Sequence, residues 1–495
     1  MTILRYIFVA LEVVLLFNLL IAVHELGHFL AARWRGLKIE RFAIWFGKAI
    51  WKKEINGVEY ALGWIPAGGY VALPQMATMD LIEGKRETKV TTHYGASVWT
   101  TTEAIEGKTE TPIEQLPNVS PLDKIIVAFA GPLFSFALAI FFAFIVWGVG
   151  KPSNGSDNST TIGWVDQDGP AWKAGLRPGD TILEVDGYPV KHFAATSQDS
   201  VTWRIVTSGG TNIAIKYLRG GQEATAYAIP YHRSTKWYER KALRQILVGP
   251  EMKAIVYVVA TNSPAAQAGL TNGDEIVALN GQKIYSPLAI LSVEDSWSNS
   301  PVQPVTLTVK RGDQQFDRTL LAVRPVQPTN STPMLGILAW QGDAGTALTH
   351  PDPVQQISDS VGQIAGTLGA LFSHKGEIGP QQLGGAVMII RVYSNLFESE
   401  NGWRRVLWFS VILNVNLALI NLLPLPVLDG GHITLSLIEA IRRRPVSARI
   451  LNSVQTGFMI VLIGFMVYIA FFDTGDWLRS ARNDRDQPII FAPEK

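Results

Sequence analysis

The chain has 495 residues, 47% of them hydrophobic, a formal net charge of +1 and no cysteine. Such a length implies several domains, and the near-neutral balance gives no electrostatic case for a nucleic-acid partner. The lack of cysteine excludes disulfides and leaves His, Asp, Glu and water as metal ligands.

Four apolar runs can cross a bilayer: Ile7 to Ala32, Ile125 to Gly148, Val406 to Leu428, and Ser453 to Phe472. The first contains Glu12 and Asn18, has only Arg5 as a basic n-region, and lacks a small-residue cleavage site before its end. It is therefore expected to be a retained span and not a signal peptide. It runs into "VHELGHFLAARW". Ionisable groups at the end of a span are costly and mark function by default. On a helix, residues four apart share one face, so His24 and His28 can grip one metal ion, with Glu25 placed to act as general base on water. The plainer alternative is a wet, polar helix end.

Lys and Arg near the span ends set orientation. Arg33, Arg35, Lys38 and Arg41 follow the first run, and Arg442, Arg443, Arg444 and Arg449 follow the third. Both loops are expected on the cytoplasmic side, against the opposite signal of Arg404 and Arg405. Both termini and the 151–405 connection then lie outside. Residues 41–73 are rich in aromatics, β-branched residues and glycines, and Asn56-Gly57 is a hairpin turn signal. A small curved sheet beside the membrane is expected there. Residues 76–120 are polar and Thr-rich and read as a solvated cytoplasmic insertion.

The outer connection contains a repeat. "GPAWKAGLRPGDTILEVDGYPV" (169–190) aligns without gaps to "SPAAQAGLTNGDEIVALNGQKI" (263–284) at an offset of 94, with nine of 22 positions identical. A period that long means two copies of one small domain, not a solenoid. The shared "PxxxAGLxxGDxIxxxxG" pattern resembles PDZ domains of the bacterial type. The resemblance implies a small sheet capped by helices, with a groove that takes an extended peptide by strand addition. A pair of spacers binding nothing is the alternative. Beyond the repeat, Ile357, Val361, Ile364, Leu368 and Leu371 form one apolar stripe at helical spacing, suited to a membrane surface or to the neighbouring domain.

"NLLPLPVLDGGH" (421–432) ends the third run, on the same side of the membrane as the two histidines. Pro424 and Pro426 break the helix, Gly430 and Gly431 allow close backbone approach, and Asp429 is the favoured third ligand, with His432 as rival.

Together, "HELGHFLAAR", "GGYVAL", the tandem PDZ-like repeats and "NLLPLPVLDGGH" resemble the site-2 protease family of intramembrane zinc metalloproteases, nearest the bacterial members with two periplasmic PDZ domains. The resemblance covers nearly the whole chain. It implies Zn2+ held by His24, His28 and Asp429, Glu25 as catalytic base, and Asn416 and Asn421 as substrate- or oxyanion-handling residues. It further implies cleavage of single-span membrane proteins, such as anti-sigma factors or remnant signal peptides, after a prior cut outside. The location implied is the bacterial inner membrane, with the active site near the cytoplasmic side. Peptide C-termini at the PDZ-like grooves and the lipid bilayer are the other expected partners. Ser135 in "GPLFSF" departs from the family, which often has Asn there, and is expected to weaken a substrate-orienting hydrogen bond. The competing functions are a catalytically silent PDZ-bearing scaffold and a transporter; four spans without a repeat among them disfavour the latter.

The expected fold is a polytopic α-helical membrane protein with four transmembrane helices, a membrane-associated β-hairpin region and two extracytoplasmic PDZ-like α+β domains. The expected order is a first span over 1–35, β region over 36–75, insertion over 76–123, second span over 124–150, PDZ-like domains over 155–247 and 248–345, amphipathic helix and linker over 346–403, third span with the Asp-Gly motif over 404–435, fourth span over 450–473, and a C-terminal tail over 474–495.

Overall fold

The computed structural model describes residues 3–76, 119–153, 159–193, 197–328, 331–341, 347–373, 377–399, 401–443, 446, 448–483 and 489–492. The expected insertion lies almost wholly outside them. Four helices are long and apolar enough to cross a membrane, with windows Leu11–Trp34, Pro121–Val149, Gly402–Asn421 and Ile450–Ser480. The chain divides into two compact units, one holding 1–149, 351–361 and 388–468, the other 150–350, 362–387 and 469–495.

In the first unit, α1 (Ile3–Trp34) is continuous through its polar end. It stops where Gly36 takes φ 73° and the Leu37 N–H reaches the Ala32 carbonyl at 2.9 Å, a glycine-terminated helix end. The second helix, α2 (Pro121–Val149), begins three residues before the expected 124. Pro121 suits a first helical turn, and Ser120 Oγ accepts the Asp123 N–H at 3.2 Å. The two helices pack backbone to backbone. A Cβ on Gly27 would stand 2.4 Å from the Ala130 carbonyl oxygen, so only glycine permits this approach.

Between these helices lies a hairpin, β1 (Arg41–Ile55) and β2 (Val58–Ala72). Asn56 (φ 52°) and Gly57 (φ 78°) form its turn, as an Asn-Gly pair favours. The hairpin also folds across itself. Arg41–Ile44 pair with Glu59–Leu62 on one side and with Gly69–Ala72 on the other, while Trp51–Ile55 pair with Val58–Leu62. Trp45 (φ 67°), Gly47 (φ 89°) and Gly68 (φ 75°) supply the bends. Two long strands thereby make four short ones, with Gly69–Ala72 outermost.

The third apolar run does not continue as one helix to residue 428 or 435. It ends at Asn421 (Gly402–Asn421), and a separate helix begins at Asp429 (Asp429–Arg442). Pro424 and Pro426 account for the break, since proline can neither donate the helical hydrogen bond nor tolerate the preceding carbonyl. The Asp429–Arg442 helix is tied to α2 by Lys124 and Glu439 at 2.9 Å.

The second unit contains two sequential β modules, each with its own core. In the first, the sheet runs Tyr188–Pro189, Thr181–Val185, Ile213–Arg219, Gln222–Ala228 in spatial order, and Ile162–Val165 pairs with Val248–Pro250. Ile162, Leu176, Ile182, Val201, Ile213 and Ile215 are fully enclosed there. In the second, Ile337–Gln341, Ala254–Val259, Glu275–Leu279, Val305–Arg311 and Gln314–Leu320 form the sheet around Val256, Ala265 and Leu307. Because Val248–Pro250 pair within the first module, the boundary falls after Pro250 and not at 247/248. Two more expected bounds shift. Residues 346–403 hold two helices, Pro353–Phe372 and Ala386–Glu398, not one. The last helix, Ala448–Asn483, runs ten residues past 473. Asp473, which ends the apolar run, is paired with Arg240, so its charge does not terminate the helix.

Candidate metal centre

The break after Asn421 delivers Asp429 to the two histidines. His24 Nε2 and His28 Nε2 lie 3.3 Å apart. Asp429 Oδ2 is 3.2 Å from His24 Nε2, and Asp429 Oδ1 is 3.3 Å from His28 Nε2. These three residues form a group whose ligand atoms all fall within 4.8 Å of one another. Ligands at Zn–N distances of 2.0–2.1 Å in a tetrahedron would be roughly 3.3 Å apart.

The outer nitrogens of both rings are engaged. His28 Nδ1 donates to the Val127 carbonyl at 2.8 Å; a carbonyl can only accept, so in the neutral ring Nε2 carries a lone pair. His24 Nδ1 meets the Ser135 hydroxyl at 3.0 Å. The His28 Nε2 lone pair therefore faces the Asp429 carboxylate, acceptor against acceptor. Among the described residues, Asp429 Oδ2 is buried with no hydrogen-bond partner. A buried acceptor left so is costly unless a cation completes it, so this donor set fits a metal ion.

Glycines make the convergence possible. A Cβ on Gly131 would stand 2.2 Å from His28 Nε2. At the start of the Asp429–Arg442 helix, a Cβ on Gly430 would meet the Leu422 and Leu423 carbonyl oxygens at 2.3 Å, and one on Gly431 the Leu425 oxygen at 2.2 Å. The broken segment and the new helix therefore touch backbone to backbone.

Glu25 sits beside this cluster and against the outermost strand of the hairpin sheet. A Cβ on Gly69 would lie 3.2 Å from Glu25 Cγ, and the Val71 backbone hydrogen-bonds the Glu25 carboxylate. Among the described residues no strand pairs with the outer side of Gly69–Ala72.

Of the other expected residues, Asn421 reaches the cluster, with Nδ2 at 3.5 Å from His24 Nε2. Asn416 is half-buried one turn and a half earlier, and among the described residues no hydrogen bond joins it to the three ligand candidates. His432, the rival to Asp429, is not in the ligand group. Ser135 is fully buried against His24, so its contact is with a ligand candidate. The Val127 carbonyl and Gly131 carried no sequence signal: a backbone oxygen and a missing side chain are identified only by what stands opposite.

The sequence pattern of peptidase family M50 matches residues 12–465. "Protease RseP" of Yersinia pestis is 28% identical over 473 residues, 91% of this chain and 95% of its own. "Regulator of sigma E protease" of Haemophilus influenzae is 27% identical over 479 residues, 92% of this chain and 96% of its own. "Regulator of sigma-E protease RseP" of Escherichia coli K12 is 26% identical over 478 residues, 91% of this chain and 95% of its own.

Proposed function

Because the chain belongs to peptidase family M50, the site-2 protease family, and is a zinc metalloendopeptidase, we propose that it hydrolyses peptide bonds inside the membrane segments of single-span proteins. In this reading His24, His28 and Asp429 hold the zinc and Glu25 is the catalytic base. The observation that carries it is the meeting of two histidines and a carboxylate, some 400 residues apart in sequence, around a buried oxygen that lacks a donor.

A zinc ion held there supplies Lewis acidity toward the scissile carbonyl and acidifies water. The Glu25 carboxylate takes the proton from water and returns it to the leaving nitrogen. Val127 and Ser135 hold the imidazoles by their outer nitrogens, which orients Nε2 of each ring inward. Asn421 Nδ2 offers an N–H where negative charge develops on the carbonyl oxygen. A role for Asn416 rests on the family resemblance alone. A helical substrate hides its peptide bonds and has to unwind; the open side of Gly69–Ala72, adjoining Glu25, suits an added strand.

The finer reading places the enzyme in regulated intramembrane proteolysis at a bacterial inner membrane, with the active site toward the cytoplasm. The two β modules, read as PDZ-like, stand outside and exclude substrates whose ectodomains have not been cut. Remnant signal peptides and anti-sigma factors are the substrate classes this favours. The test is direct. The purified chain should hold about one zinc, and Glu25→Gln should keep that zinc while cleavage of a single-span substrate falls by about 10³-fold. Undiminished cleavage by Glu25→Gln would remove Glu25 from its role, and deletion of both β modules should let an uncut substrate in.

A further inference from the structure

Residues 489–492 lie past the last helix and play no part in the site described above. They nonetheless fold back onto the second β module. The Val326 N–H donates to the Ile490 carbonyl at 2.7 Å, and the Ile490 N–H donates to the Gln327 carbonyl at 3.0 Å. This is a two-way antiparallel pairing of Gln327 with Ile490. The next residue, Phe491, is only 3% exposed. Its ring closes over Gly336, with Cε2 3.4 Å from where a Cβ on that glycine would stand, beside Ser263. Gly336 has φ 90°, and a Cβ there would stand 2.2 Å from Ser263 Cβ, so glycine permits both the turn and the close packing of the loop under the ring.

The seat is built from fixed parts. The Leu335 N–H donates to Glu294 Oε1 at 2.6 Å. The Leu335 and Gly336 carbonyls accept from Ala265 and Ala260, each at 2.8 Å. The loop under Phe491 is thus held by the module's own helix and strand before any ligand arrives. Backbone pairing at one residue and burial of an aromatic side chain at the next are the two elements of peptide recognition by strand addition. The Ile490 side chain is exposed and its contribution is its backbone, so the surface selects an extended segment that carries an aromatic residue next to the paired one.

We propose that residues 489–492 are an intramolecular ligand of the second β module, seated by pairing with Val326–Gln327 and anchored by Phe491 over Gly336. The surface is a peptide-docking site that the chain itself occupies. Ile489 comes only six positions after Asn483, the end of the last helix, so the segment meets its site at an effective concentration on the order of millimolar. An external peptide of the same class must outcompete that. This inference depends on contacts within one module and not on the catalytic reading.

The chain's lack of cysteine allows a clean test. Paired residues in an antiparallel ladder lie roughly 4.5–5.5 Å apart at Cα, within reach of a disulfide. The full chain carrying Gln327→Cys and Ile490→Cys is oxidised in membranes, and free thiols are counted by the mass added with a maleimide-polyethylene glycol. Gln222→Cys with Ile490→Cys serves as control, since Gln222 lies in an exposed hairpin of the first module. Resistance to limited proteolysis verifies that each variant is folded. The expected result is at least ten-fold faster loss of both thiols in the 327/490 pair than in the control, and at least a ten-fold slowing when Phe491→Ala is added. A 327/490 pair that oxidises no faster than the control overturns the proposal. A pair whose rate is indifferent to Phe491→Ala overturns it too, because the segment then has no anchor.

Discussion

In the first β module the Asp180 carboxylate, 1% exposed, receives Nε of Arg219 at 2.6 Å, Nη2 of the same guanidinium at 2.7 Å and the Arg177 N–H at 2.7 Å. The second module repeats this with Asp274, Arg311 and the Thr271 N–H at 2.6, 2.8 and 2.8 Å. In the helical unit Asp429 is largely buried too, yet its neighbours are two imidazoles, and among the described residues Oδ2 has no donor. The module aspartates are internally complete: they need nothing that the chain does not provide. Asp429 lacks such a donor among the described residues, and in the proposed reading a metal ion completes it. A buried carboxylate with full donors is architecture, and one lacking a donor points to a ligand.

Substitutions that remove each carboxylate should separate the two cases. Asp429→Ala should have the largest effect on function: bound zinc falls from about one per chain toward none, and cleavage is lost. Its thermal stability in the presence of a chelator should not fall, because an uncompensated acceptor has been removed. Asp180→Ala should do the reverse. It strands the Arg219 guanidinium and the Arg177 N–H, costing about 3 kcal/mol of stability by denaturant titration, while zinc content stays unchanged. If Asp180→Ala lost zinc and Asp429→Ala lost stability, the contrast would collapse.

Glu294 is an intermediate case. Burial raises its carboxyl to about 7, against the opposing Leu335 N–H. A carboxyl raised above its unfolded value of 4.5 contributes stability that is fully present below pH 4.5 and is lost as pH rises through 7. The loss should be on the order of 2 kcal/mol, allowing for solvent at a half-buried side chain. Glu294→Gln keeps an oxygen for Leu335 and should flatten that part of the pH–stability curve, read by thermal unfolding from about pH 5 to 8. The smallest expected effect is at Ser135. Ser135→Ala leaves His24 without its outer partner and should weaken zinc binding about ten-fold in chelator competition.

Much of the site was legible because its chemistry is carried by residue types at fixed spacing. His24, Glu25 and His28 declare themselves on one helix turn. Asp429, beside a proline break and two glycines, is preferred over His432 partly through the family resemblance. The β repeat was equally plain, but its clamp was not. Asp180 and Asp274 align at the offset of 94, whereas Arg219 and Arg311 are 92 apart, since the connection between them differs by two residues. The hairpin's doubling into four short strands was hidden because its bends fall at Trp45 and at glycines within what reads as continuous β sequence. The seat of Ile490 and Phe491 could not be read at all. A short apolar run in a polar tail announces nothing until the surface that receives it is folded.

The separation of the ligand candidates along the chain also bears on the order of synthesis. His28 and Asp429 are 401 residues apart. At roughly 5–20 residues per second, some 20 to 80 s pass between their leaving the ribosome. On the proposed reading, the nascent chain carries Glu25 and both histidines through that interval without a third ligand. On that same reading, the protease cannot cut its neighbours until Asp429 has been synthesised.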